Sequence, residues 1–121
     1  MKEENLIKNK TYSFALKIID LYKFLKYEKK EYVLSKQILK SGTSIGANVE
    51  EAQAAQSRKD FLSKLSIASK EARETYYWLR ILTDSGYLDN YSDKDILITE
   101  INSIISVLTK IIKTLTESKC E

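Results

Sequence analysis

Between Ser41 and Gln53 the chain reads SGTSIGANVEEAQ, a run poor in helix formers that still keeps a helical apolar phase. Leu34 and Ile38 precede it, and Ile45, Val49 and Ala52 continue the same i, i+3, i+4, i+7 stripe. A glycine inside a helix costs about 1 kcal/mol relative to alanine. Gly42 and Gly46 lie one turn apart, so the helix holding them needs compensation from packing. The expectation is a close approach between this helix and another backbone.

Apolar residues elsewhere repeat with the same period. Ala15, Ile18, Tyr22 and Leu25 form a stripe that Phe14, Ile19 and Leu21 widen, as suits a bundle helix touching two neighbours. Phe61, Leu65, Ala68, Ala72, Thr75, Leu79 and Leu82 hold a heptad pattern, and Leu97, Ile101, Ile104, Leu108, Ile111 and Leu115 hold another. The β-branched residues of the last segment favour strand by propensity, but the period overrules them. Ser57 followed by Asp60 reads as a capping box, and Gly86 stands where a C-terminal glycine ends a helix. Ser92 or Asp93 is a candidate cap for the last segment.

The spacing predicts helices over about 11–27, 32–55, 57–85 and 93–117, in one domain covering 1–121. Asn5 and the residues around it read either as a lead into the first helix or as a fraying end. Short connections between long helices make neighbours antiparallel. The predicted fold is therefore all-α, an antiparallel up-down-up-down four-helix bundle.

Composition narrows the chemistry. The chain has no histidine, which removes the commonest general base and metal ligand, and no proline to break a helix. The lone Cys120 closes no internal bridge, which fits a reducing cytoplasm. No signal-peptide pattern follows Met1 and no long apolar run reads as a membrane span. Charge is uneven: residues 1–60 carry twelve Lys/Arg against eight Asp/Glu, and residues 61–121 eight against nine. That is a mild basic bias, smaller than strong nucleic-acid binders show.

The run Ser41–Gln53, followed by SRKDFLSKLSIASKEARETYYWLRIL, resembles the bacterial four helix bundle protein family. Its members are also called 23S rRNA-intervening sequence proteins, because some are encoded within insertions in large-subunit ribosomal RNA genes. Ser44, Ile45, Asn48 and Glu51 carry its helical S-I-x-x-N-x-x-E motif, and the resemblance runs from about Phe14 to Leu115. It implies an antiparallel four-helix bundle that assembles as a cyclic pentamer. A related protein, the accessory variability determinant of diversity-generating retroelements, is strongly basic, binds nucleic acid and partners a reverse transcriptase. The intervening-sequence members carry no established biochemical activity.

Ser44, Asn48 and Glu51 share one side of their helix, and Glu71 and Glu74 sit midway along the next, where they can meet them. The expectation is a buried polar network that fixes helix register, because buried polar groups must be paired. A carboxylate pair for acid–base or metal chemistry is the alternative, but di-metal bundles use Glu-x-x-His pairs and this chain lacks His. SGTSIG lacks the spacing of a phosphate loop and follows no strand.

Ile67, Tyr77, Trp78 and Ile81 fall outside the core stripe of the third helix, as do Leu16 and Phe24 on the first. An apolar cluster that one bundle does not bury points to an interface between protein chains, here a homo-oligomer. Lys36 and Lys40 on the second helix, with Arg58, Lys59 and Lys64 at the start of the third, form a candidate nucleic-acid site that an oligomer would multiply. No nucleophile–base pair, metal cluster or cofactor motif supports an enzyme. Two functions remain: an oligomeric scaffold or interaction protein with a protein partner, or an oligomer that binds RNA or DNA.

Overall fold

The computed structural model describes residues 2–119; Cys120 lies outside them. Four helices account for almost all of that length: α1 Lys2–Lys23, α2 Leu34–Gln53, α3 Arg58–Asp84 and α4 Lys94–Lys119. Each helix packs on the next, and α4 closes the ring against α1. The result is the up-down-up-down bundle that the apolar periods predict. The α2–α3 seam is the most extensive and the α1–α4 seam the least. No helix among the described residues is long and apolar enough to cross a membrane.

Helix α1 starts well before Thr11. Its buried line is Ile7, Thr11, Phe14, Ile18, Leu21 and Leu25, while Ala15 and Tyr22 are only half-buried at its edge. The hydroxyl of Thr11 explains why the apolar count missed this line. It donates to the Ile7 carbonyl at 2.8 Å, so a polar residue is buried in the seam without an unpaired group. The last turn, Phe24–Glu28, widens to π geometry, with the Lys29 N–H bonded to the Phe24 carbonyl. Phe24 is not a free outlier as its position implied. Its ring lies 4.6 Å from that of Tyr91, in the α3–α4 connection.

Helix α2 begins two residues later than expected because Glu31 acts as its cap. The Glu31 carboxylate accepts the N–H of Ser35 at 2.7 Å and of Val33 at 3.3 Å. The glycine run lies where α2 meets α1. A Cβ on Gly46 would stand 3.3 Å from the backbone oxygen of Thr11, and one on Gly42 would stand 2.9 Å from Ile18. The small residues are thus the contact surface of the α1–α2 seam.

Ser57 caps α3 by accepting the Asp60 N–H at 3.0 Å. Asp60 returns its carboxylate to the Gln56 N–H, one residue before the position of a standard capping box. At the other end Gly86 takes φ +89°. The Tyr87 N–H reaches the Leu82 carbonyl and the Gly86 N–H reaches that of Thr83, the paired bonds of a Schellman motif. Leu88 then plugs the bundle end, fully buried, and the Asp93 carbonyl accepts the first bond of α4 from Leu97.

Candidate functional site and interaction surfaces

The polar motif does not form one buried network. Ser44 donates to the Lys40 carbonyl and Asn48 to the Ser44 carbonyl, both within α2. Glu51 is exposed and pairs with Lys64 at 3.1 Å. Glu74 is exposed and accepts the Trp78 indole N–H at 3.1 Å. Glu71 is half-buried. Burial pushes its carboxyl above the usual carboxylate range, Glu74 adds to the rise, and Lys40 opposes it. The cross-helix polar contact lies one turn away. The hydroxyls of Ser41 and Thr75, both fully buried, are hydrogen-bonded at 3.0 Å, and Thr75 also bonds the Glu71 carbonyl at 2.8 Å. Thr75 already stood in the apolar phase of α3, which was the signal for this contact.

The five predicted cations are scattered rather than pooled. Lys64 is held by Glu51, and Lys40 faces Glu71. Arg58 donates to the Leu115 carbonyl at 3.1 Å, tying the start of α3 to α4. Lys36 and Lys59 are exposed and take part in none of the ion pairs among the described residues.

Tyr77 and Trp78 touch on α3 and Ile81 follows one turn on, whereas Ile67 lies about three turns earlier, roughly 16 Å along the helix. Ile67 is 39% exposed and Tyr77 52%, while Trp78 and Ile81 are half-buried. Trp78 rests partly on the core, fixed by Glu74 and by an edge-on contact with Tyr77 at 5.1 Å. Leu16 is 51% exposed on α1.

A groove of about 230 Å³ opens along the thin α1–α4 seam, lined by Leu6, Asn9, Lys10, Ser13, Glu100 and Ile104. Glu100 gives one carboxylate oxygen to Lys17, and its other oxygen is buried without a hydrogen-bond partner. Among the described residues no group of three or more His, Cys, Asp or Glu side chains is placed to hold a metal ion.

The architecture has solved counterparts. A crystal structure of a protein of unknown function from the S23 ribosomal protein family of Bacteroides thetaiotaomicron is similar over 92% of this chain and 98% of its own. The two share 50% sequence identity and superpose with a TM-score of 0.87. No curated protein matches. The family profile of the 23S rRNA-intervening sequence protein matches residues 3–110, from α1 into α4 and including the Ser44–Glu51 motif. With its sequence matched over that length, the chain belongs to the 23S rRNA-intervening sequence protein family.

Proposed function

We propose that this protein is a non-enzymatic cytoplasmic bundle that works by assembly, joining copies of itself and presenting the assembled surface to a partner. One observation carries the reading: an apolar strip on the outside of α3, in which Trp78 and Ile81 are bordered by Tyr77 and Ile67 lies three turns before them. A single copy leaves this strip partly in water, and the core residues of α3 are already satisfied on its opposite side. Burying aromatic and aliphatic groups of this kind is what drives subunit association. The family resemblance favours a cyclic pentamer. The lack of histidine and of a nucleophile paired with a base supports a role in binding rather than catalysis.

Sedimentation equilibrium tests the reading. The native protein is expected at a multiple of its 14.0 kDa chain mass, and Trp78→Glu at the single-chain mass with its helix content intact. A Trp78→Glu protein that keeps the native mass removes this face from the assembly.

A further inference from the structure

The solvent side of α3 divides into two strips. At about 100° per residue, Ile67, Trp78 and Ile81 turn toward α2, the side marked by the Lys64–Glu51 pair. Lys59, Lys70, Arg73, Tyr77 and Arg80 fall on the line opposite the core and toward α4, the side marked by the Arg58 bond to Leu115. All five are exposed. The ion pairs among the described residues leave all four of these cations out, and Arg80 sits 5.8 Å from the Tyr76 ring. From Lys59 to Arg80 the strip runs about six helical turns, or roughly 30 Å.

Net charge conceals this strip, because most carboxylates of this half of the chain lie off its line. Glu71 stands toward α2 near Lys40, and Glu74, at the edge of the strip, accepts the Trp78 indole N–H. Glu100 turns to Lys17 on α1. Asp84 closes the strip at the end of α3, one turn after Arg80, and Asp89, Asp93 and Asp95 lie beyond it in the α3–α4 connection and the first turn of α4. On α4, beside the strip, no Asp or Glu occurs between Ile101 and Thr116. A half-chain that sums to a small negative charge therefore presents a positive outer face.

We propose that this strip binds single-stranded nucleic acid, its phosphates along Lys59, Lys70, Arg73 and Arg80 and one base stacked on Tyr77. The cations alone would suit any polyanion. Tyr77 makes the choice. Its ring is half in water between Arg73, one turn before, and Arg80, one turn after, and its edge-on contact with Trp78 holds it in place. An aromatic platform set among cations is how proteins hold unpaired bases without reading sequence. A duplex hides its base faces and offers the platform nothing. The strip is complete in one copy, so the proposal does not depend on assembly.

The test is fluorescence anisotropy of a labelled twenty-nucleotide mixed-sequence single strand titrated with the full chain across a salt series. Four phosphate contacts on a single strand predict a slope of log K against log salt of about −3 per copy. Arg73→Glu with Arg80→Glu is expected to weaken binding at least tenfold and to flatten that slope. Loss of a stacked base predicts a decrease of about five- to 150-fold for Tyr77→Ala, with Tyr77→Phe restoring binding. The same samples are weighed by sedimentation, so that a failure of assembly is read separately from a failure of binding. Where charge reversal disturbs folding, Arg73→Gln with Arg80→Gln replaces it. Absence of binding at low salt overturns the proposal, as do arginine variants that bind like the native protein. So does equal competition by polyglutamate, which would make the strip a site for acidic protein, or a duplex that binds as tightly as the single strand.

Discussion

The Cβ that Gly42 lacks would stand 2.9 Å from both Cγ1 and Cγ2 of Ile18, closer than real side chains approach. Ile18 is fully buried and β-branched, so it has little rotamer freedom with which to yield. Overpacking of this kind costs about 1–3 kcal/mol, against about 1 kcal/mol that alanine returns in helix propensity. Gly42→Ala is therefore expected to destabilise the bundle by about 1 kcal/mol in chemical denaturation. In an Ile18→Ala background the two 2.9 Å contacts are gone and only the Cβ of residue 18, 3.3 Å away, remains, so the same substitution should cost less than in the native protein. A double-mutant cycle with no coupling would show that the α1–α2 spacing is not set by this pair.

The Ser41–Thr75 pair makes a second, opposite kind of prediction. Thr75→Val leaves the Ser41 hydroxyl buried without its partner, a loss of about 1–3 kcal/mol. Adding Ser41→Ala removes the orphan and should return most of that stability. Asn48→Ala, by contrast, breaks only a bond within its own helix and exchanges Asn for a better helix former. It is expected to change stability by less than about 0.5 kcal/mol. Urea denaturation of the three variants checks the ranking, and a larger effect at Asn48 than at Thr75 would reverse the assignment.

These pairs also show where the sequence speaks and where it is silent. The lines Leu65–Leu82, interrupted only by Thr75, and Leu97–Ile111 are heptads, and both are the buried faces of their helices. The glycine run correctly signals a close seam, because nothing else offsets two poor helix formers in phase. The start of α1 is hidden because Thr11 interrupts its apolar line, and only the bond to Ile7 makes that threonine a core residue. Ser41 and Asn48 both stand beside the apolar line of α2. Which of them crosses to α3 depends on Thr75 lying opposite Ser41, and the phase of one helix holds no information about what the next presents. The positive strip on α3 is hidden for a related reason. Charge counts average over residues that folding then separates.

Ser35 offers a stabilising change. It is 1% exposed in the first turn of α2, and its hydroxyl is buried with no hydrogen-bond partner. The cap from Glu31 uses the backbone N–H of Ser35, not its side chain, so alanine preserves it. Ser35→Ala is expected to stabilise by about 1 kcal/mol, from a relieved buried hydroxyl and better helix propensity. Differential scanning calorimetry reads this as a rise of several degrees in Tm, and a fall would mean that the hydroxyl is satisfied.

Glu71 links stability to pH. Burial, then repulsion from Glu74, raises its carboxyl above the ordinary value of 4.5, with Lys40 opposing. A carboxyl whose folded value is raised binds its proton more tightly in the folded state. Its contribution to stability is thus fully present below 4.5 and is lost as pH rises through the raised folded value. At neutral pH the charged Glu71 works against folding, and Glu71→Gln removes that charge while keeping the shape. The variant should therefore have the higher Tm at pH 7, and its advantage should shrink as pH falls through the raised value and be gone below 4.5. The loss of the Lys40 attraction acts the other way but is the smallest of the three influences. A native protein more stable at pH 7 would show that Lys40 rather than burial governs this carboxyl, and a pH-independent difference would show that folding does not shift it.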